Sequence, residues 1–201
     1  MSEHDVDAGR RNMLTVSASV VGAVGGVAAL IPFVSTMSPS AKALAAGAPV
    51  EVDISKLEVG QKIQVEWRRK PVWIVRRSEE MIANLAEVET KLRDPNSEIS
   101  EMQPPFAQNS NRSIKADVLV LVGICTHLGC SPTFRPELAP ADLGPDWKGG
   151  FYCPCHGSRF DISGRVYKNM PANDNLEVPP YKYLSDNVLL IGEMDEEQGV
   201  A

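Results

Sequence analysis

The chain has 201 residues, of which 43% are hydrophobic and 23% charged, and its formal net charge is −6. This length suits one or two domains. The acidic balance excludes the basic surface typical of nucleic-acid-binding proteins, so we expect no nucleic-acid partner. Four cysteines are too few for a disulfide-rich scaffold of this length. All four lie between residues 125 and 155, and two of the three histidines, His127 and His156, lie within three residues of a cysteine, so this segment is the main candidate for a functional site.

An apolar stretch at residues 13–34 is long enough to span a membrane. As a helix it would rise about 33 Å, against about 30 Å for the hydrocarbon core of a bilayer. We predict a transmembrane anchor that follows a cytoplasmic tail of residues 1–12. Arg10 and Arg11 end this tail, which fits the positive-inside rule. The pair also resembles a twin-arginine export signal.

A cleaved signal peptide is the alternative interpretation of the same segment. Small residues in an Ala-x-Ala pattern occur near residues 43–48, where a signal peptidase would cut. The apolar stretch is long for the core of such a peptide, which favours retention as an anchor.

Residues 35–49 are mostly small, with Pro and Gly breaks and a single charge. This composition predicts a flexible neck that would reach at most about 50 Å when fully extended. The alternatives are a passive spacer or a short helix around residues 41–46.

From Val50 onward the pattern is typical of β structure, and we predict a head domain over residues 50–201. Ile63, Val65 and Trp67 alternate with polar residues and indicate a strand with one apolar face. Further strands are predicted at residues 71–75, 118–124, 151–152 and 188–191. The predicted fold is therefore mainly β.

One helix-plus-loop insertion interrupts the predicted strands. Ser78 can cap a helix over residues 79–93, which has acidic residues in its first turn and an apolar stripe. Asp94 and Pro95 end this helix, and a polar loop follows to residue 113.

The cysteines and histidines form two short motifs. The first is Cys-Thr-His-Leu-Gly-Cys at residues 125–130, and after 22 residues the second is Cys-Pro-Cys-His-Gly-Ser at residues 153–158. Each motif follows a predicted strand and contains a Cys–His pair. Two loops of this kind can enclose one metal centre from opposite sides.

Three arrangements suit these residues. A structural zinc site with two cysteines and two histidines is possible, but Cys125 and His127 are closer in sequence than is usual in zinc fingers. Two disulfides would explain neither histidine. The third arrangement is a two-iron, two-sulfur cluster with cysteines on one iron and histidines on the other, and with Cys130 and Cys155 paired in a disulfide. The residues favour this third arrangement.

The two motifs together resemble the signature of Rieske iron–sulfur proteins. The additional cysteine in each motif is similar to the quinol-oxidising branch of that family. The anchor, the twin arginines, the neck and the run Asn-Leu-Glu-Val-Pro-Pro at residues 175–180 extend the resemblance to the Rieske subunits of bacterial cytochrome bc complexes.

The resemblance implies a Rieske-type antiparallel β domain with a small cluster-binding part at about residues 118–178. It implies one [2Fe–2S] cluster, with Ser158 donating a hydrogen bond to a cluster sulfur and His156 as the exposed, catalytic ligand that meets the quinol. Imidazole ligands carry no charge, so such a centre accepts an electron more readily than one held by four thiolates. The implied iron ligands are Cys125, His127, Cys153 and His156, and the implied disulfide joins Cys130 to Cys155.

The same resemblance implies a quinol–cytochrome c reductase activity. The subunit would take an electron and a proton from quinol, with ubiquinol expected, and pass the electron to a c-type cytochrome. Its partners would be a cytochrome b subunit and a c-type cytochrome subunit in a dimeric complex of the bacterial inner membrane, with the head in the periplasm. The alternatives are the small Rieske subunit of a periplasmic oxidoreductase such as arsenite oxidase, and a zinc-stabilised structural module.

Two positions depart from the pattern of the family. Many members carry a tyrosine where this chain has Phe160, and we expect the loss of its hydroxyl to lower the midpoint potential. The candidate for the proline-rich loop that covers the cluster is residues 169–172, with one proline where some relatives have two.

Overall fold

The computed structural model describes residues 7–195. The chain divides into two compact units, with the boundary between Ala45 and Ala46. Residues 1–6 of the expected cytoplasmic tail lie outside the described residues. The boundaries expected after residues 12, 34 and 49 stay predictions.

The first unit contains the expected apolar helix. Helix α1 (Ala8–Ser35) has 28 residues, so it is about 42 Å long. It begins before the predicted anchor because the Asp7 carboxylate caps it, accepting hydrogen bonds from the backbone N–H groups of Gly9 and Arg10 at 3.0 and 3.3 Å. The most apolar 18-residue stretch of α1 has a mean hydropathy of 2.0, and no residue of the helix is buried. Both properties fit a membrane anchor.

A short helix, α2 (Ala41–Ala46), lies within the expected neck. The Leu44 backbone N–H donates to the Ser40 carbonyl oxygen at 2.9 Å, and the Ala43 N–H donates to the Ser40 hydroxyl oxygen at 3.2 Å. This is the short helix that the sequence left open as an alternative for this segment.

The second unit is built from antiparallel strands, as the sequence predicted. Within the described residues they form three three-stranded sheets, ordered β1-β9-β8, β2-β3-β4 and β5-β6-β7. The strands are β1 (Val50–Asp53), β2 (Lys62–Trp67), β3 (Lys70–Arg76), β4 (Val118–Val122), β5 (Thr133–Arg135), β6 (Gly150–Tyr152), β7 (Arg159–Asp161), β8 (Tyr181–Ser185) and β9 (Val188–Ile191).

Strands β5, β7 and β8 were not predicted. Strands β5 and β7 have only three residues each and contain Arg135 and Arg159, so they carry no apolar alternation. Strand β8 begins with buried Tyr181 and becomes exposed toward Ser185. Pairing with a neighbouring strand, rather than a local pattern, defines these elements.

Strand β4 leads directly into the first cysteine motif. All five of its residues are buried, which explains why they form a continuous apolar run. The strand ends at Val122, before the predicted residue 124. Gly123 follows it and lies against the Trp73 indole, which leaves no space for a Cβ atom. Trp73 also stacks on Phe151 at 5.4 Å between ring centroids and so joins two of the sheets.

The insertion begins with helix α3 (Glu79–Val88), and the Ser78 hydroxyl accepts a hydrogen bond from the Met81 N–H at 3.1 Å. The predicted end at residue 93 is wrong because a 3₁₀ turn follows Val88 and buried Leu92 then forms a β-bridge with Tyr167. The loop that follows contains two further 3₁₀ turns, Ser100–Met102 and Pro105–Ala107.

Candidate metal centre

The two cysteine motifs form loops with the same backbone hydrogen bond. The Cys125 N–H donates to the Cys130 carbonyl oxygen at 2.7 Å, and the Cys153 N–H donates to the Ser158 carbonyl oxygen at 2.8 Å. Each bond closes a six-residue loop and fixes the backbone of a buried cysteine at its entrance.

A glycine completes each loop at the equivalent position. Gly129 donates to the Cys125 carbonyl oxygen at 3.0 Å, and Gly157 donates to the Cys153 carbonyl oxygen at 2.9 Å. Their φ angles are +81° and +79°, a left-handed conformation that glycine adopts without steric cost. The backbone conformation of each loop therefore explains why both motifs contain a glycine, which the sequence alone did not show.

A disulfide between Cys130 and Cys155 joins the two loops, with 6.7 Å between their Cα atoms. This is the pairing that the resemblance implied. The Sγ atoms of Cys130, Cys153 and Cys155 lie within 4.8 Å of one another, but the disulfide occupies two of them. The free thiols of the described chain belong to Cys125 and Cys153, and both residues are buried.

The two histidines meet across the loops. The ring centroids of His127 and His156 are 4.7 Å apart and the ring planes are nearly perpendicular, at 88°. His127 is half-buried, and its Nδ1 atom is buried with no hydrogen-bond partner among the described residues. His156 is exposed.

These residues fit a Rieske-type centre. A buried imidazole nitrogen without a partner is unfavourable, and coordination to a metal removes this cost. Two thiols and two imidazoles form the donor set of a [2Fe–2S] centre with mixed ligands. The residues that can hold it are Cys125, His127, Cys153 and His156.

The pKa of the Cys125 thiol lies above its usual value. Burial is the largest cause and the neighbouring Cys153 thiol adds to it, whereas hydrogen bonds from the His127 backbone N–H and the Ser158 hydroxyl lower the pKa. Metals bind the thiolate rather than the thiol, so both donors assist ligation. Ser158 is fully buried, and its hydroxyl oxygen accepts a hydrogen bond from the Ala172 N–H at 3.0 Å. This bond ties the expected covering loop at residues 169–172 to the site.

A second hydrogen bond, which the sequence did not predict, also holds the first cysteine loop. The Thr126 hydroxyl donates to the Asp174 carbonyl oxygen at 2.6 Å, so the first cysteine loop is also held to the segment that follows the covering loop. The sequence signal for this residue was only its position between two candidate ligands.

Comparison with known proteins identifies the family. Residues 49–182 match the family described as "Rieske [2Fe-2S] domain", and residues 1–40 match "Ubiquitinol-cytochrome C reductase Fe-S subunit TAT signal". The chain belongs to the Rieske [2Fe-2S] family. Its cofactor is a Rieske-type [2Fe–2S] cluster, and the resemblance to a twin-arginine signal is confirmed. The Rieske match favours this cluster over a zinc site or two disulfides.

Relatives cover nearly the whole chain. A "Ubiquinol-cytochrome c reductase iron-sulfur subunit" of Allochromatium vinosum is 60% identical over 193 residues, which is 96% of this chain and 93% of that protein. The protein of the same name from Bradyrhizobium diazoefficiens is 44% identical and covers 91% of this chain and 94% of its own. A solved chain titled "Hyperthermophilic respiratory Complex III" is 30% identical, with a TM-score of 0.48, over 87% of this chain and 98% of that chain.

Proposed function

We propose that this protein is the Rieske electron-transfer subunit of a ubiquinol–cytochrome c reductase. It takes an electron and a proton from quinol and passes the electron to a c-type cytochrome. The meeting of two free buried thiols and two imidazoles on disulfide-linked loops carries this proposal. The relatives named as the iron–sulfur subunit of that reductase support it.

The proposed ligand set divides by residue type between the two irons. The buried thiols of Cys125 and Cys153 would hold one iron. The imidazoles of His127 and His156, whose rings meet toward the exposed side of the loops, would hold the other. When bound, the cluster supplies a site that accepts and releases one electron.

His156 is the proposed contact with quinol. Its side chain is exposed, so a quinol hydroxyl can approach it without rearrangement of the loop. Additional negative charge beside an imidazole favours its protonated form, so this residue takes up the quinol proton as the electron is accepted. Leu128, which is 72% exposed, provides an apolar surface in the same loop as His127 for a cytochrome b partner.

The proposed location is the bacterial inner membrane, with α1 as the anchor and the head in the periplasm. Arg10 and Arg11 favour a cytoplasmic N-terminus. The disulfide requires an oxidising compartment, which the periplasm provides. We further propose that residues 35–49 let the head move between a cytochrome b subunit and a c-type cytochrome subunit of a dimeric complex. The small Rieske subunit of arsenite oxidase shares an export signal, but the names of the relatives support the reductase.

EPR of the dithionite-reduced protein in its native membranes tests this function. We expect a Rieske signal that changes with a quinol-site inhibitor, and haem b in the purified complex. His156→Ala should remove iron and colour, whereas Asp186→Ala, at a side chain that is 96% exposed, should not. A signal that ignores the inhibitor, or iron retained in the His156→Ala protein, would contradict the proposal.

A further inference from the structure

The head buries an excess of positive charge. In the described part of the chain, the charged residues that are at most 2% exposed are Arg77, Arg112, Arg165 and Asp161. Asp161 pairs with Arg165 at 2.8 Å. The Asp161 carboxylate also attracts Arg77 and Arg112 without a hydrogen bond to either, so one buried negative charge serves three buried positive charges. Burial of an uncompensated charge is costly, so this excess requires an explanation.

Arg77 connects the insertion to the turn that follows β7. Its guanidinium donates to the hydroxyl oxygens of Ser163 and Ser113, both at 2.8 Å, and to the Asn111 carbonyl oxygen at 2.9 Å. These acceptors are neutral, so they satisfy the N–H groups without compensating the charge.

Arg112 reaches the same turn from within the insertion. It donates to the carbonyl oxygens of Ser163 and Gly164 at 3.4 and 3.3 Å, and to the Gln103 side-chain oxygen at 3.0 Å. These acceptors are also neutral. The nearby carboxylate of Asp94 is only half-buried.

Both arginines are charged at neutral pH. Burial lowers the pKa of Arg77 and of Arg112 to about 10, which is still well above neutrality. Their Nε atoms have no hydrogen-bond partner in the described part of the chain. The positive charge is therefore permanent under physiological conditions.

This charge lies on the segment that leads away from the metal centre. Arg77 and Arg112 both contact Ser163, which is the fifth residue after Ser158 and therefore at most about 18 Å from it along the chain. Phe160 and Leu121, both fully buried, occupy the core beside this segment, and a Cβ on Gly164 would meet the Leu121 side chain at 2.8 Å. Leu121 is on β4, which leads to Cys125. Charges interact strongly across such an apolar core because water does not screen them.

We propose that the buried charges of Arg77 and Arg112 set the midpoint potential of the iron–sulfur centre. Reduction adds one negative charge to the centre, and a fixed positive charge in the adjoining core favours that state. The two arginines therefore raise the potential without contacting the cluster. This inference rests on the proposed ligand set.

Matched substitutions separate charge from hydrogen bonding. Arg112→Gln and Arg77→Gln remove the charge. Arg112→Lys and Arg77→Lys, titrated at a pH low enough to protonate the buried amine, keep it but lose the planar guanidinium fork. We expect the glutamine variants to shift the midpoint potential downward and the lysine variants to remain near the native value. Redox titration of the complete membrane complex, followed by EPR, measures this shift. A purely structural role would move both types of variant alike.

Gln103→Glu provides a second measurement in which both arginines are retained. The change places a carboxylate on Arg112, so we expect a lower potential. It also removes the two hydrogen bonds that the Gln103 amide donates to the Ser97 and Ile99 carbonyl oxygens at 2.8 Å, so cluster content is measured together with the potential.

Arg93→Gln is the control because Arg93 lies just beyond the same turn, where its backbone N–H donates to the Val166 carbonyl oxygen at 3.0 Å, but its side chain is exposed. Water and salt screen that charge, so no shift is expected.

The outcomes distinguish this inference from the proposed function. Glutamine variants with full cluster content and an unchanged potential would overturn the inference and leave the function intact. If those variants do not assemble, an unchanged potential in Gln103→Glu overturns it instead. A native protein that lacks the Rieske EPR signal would overturn the proposed function itself.

Discussion

Phe160 lies on β7 with no exposed surface and pairs with Phe151 of β6. It belongs to the same buried core as Cys125 and Cys153. We predict that Phe160→Tyr raises the midpoint potential, because a hydroxyl that donates to a ligand sulfur withdraws electron density from the centre. Redox titration measures the change. Phe134→Tyr, at a half-buried ring on β5 of the same sheet, should leave the potential unchanged. An equal or lower potential in Phe160→Tyr would show that the hydroxyl does not reach a ligand.

Gly129 tests the backbone of the first cysteine loop. A Cβ atom at this position would meet no other atom within 4 Å, so the cost of a substitution comes from φ alone. We predict that Gly129→Ala destabilises the loop by about 1–2 kcal/mol, the usual penalty of a left-handed alanine. Gly129→Asn should cost less, because asparagine tolerates this conformation. Thermal unfolding and cluster retention measure both variants, and equal losses would point to a role other than backbone conformation.

At the scale of elements, the disulfide joins two loops that also adjoin the paired strands β5 and β6. Its cysteines are separated by 25 residues, and closure of such a loop stabilises by roughly 3 kcal/mol in the chain-entropy account. We predict that Cys155→Ser makes the cluster labile and lowers the midpoint of thermal unfolding. Iron content and the unfolding curve measure these effects.

The double variant Cys130→Ser/Cys155→Ser is the control for that prediction. Both changes remove the same bond, so the double variant should lose no more stability than the single one. Full cluster occupancy and native stability in Cys155→Ser would show that the backbone hydrogen bonds of the two loops are sufficient.

At the scale of the whole molecule, the twin-arginine signal predicts transport of an already assembled head. We predict that Arg10→Lys/Arg11→Lys retains the positive charge but prevents export, since a twin-arginine signal requires the arginines themselves. Protease accessibility of the head from the periplasmic side measures the result. Arg68→Lys/Arg69→Lys changes an exposed arginine pair in the turn between β2 and β3 and should leave export unchanged. Normal export of the first variant would favour a general secretory route.

Local patterns in the sequence were sufficient for several elements. Apolar composition predicted α1, alternation predicted β2, and continuous apolar runs predicted β4 and β9. Each of these patterns depends only on the order of apolar and polar residues within one segment. The candidate ligands were also identifiable from sequence, because cysteine and histidine at short spacing are rare away from metal centres. Their assignment to individual irons stays a prediction.

Only the tertiary structure decided the contacts between distant segments. The sequence predicts a polar loop that ends at residue 113. Arg112 lies within this loop, yet it is fully buried against Ser163 and Gly164. Strands β5 and β7 likewise exist through their pairing with β6. Such features are absent from local patterns because burial of a charge or pairing of a three-residue strand depends on partners that are remote in sequence, and only folding brings them together.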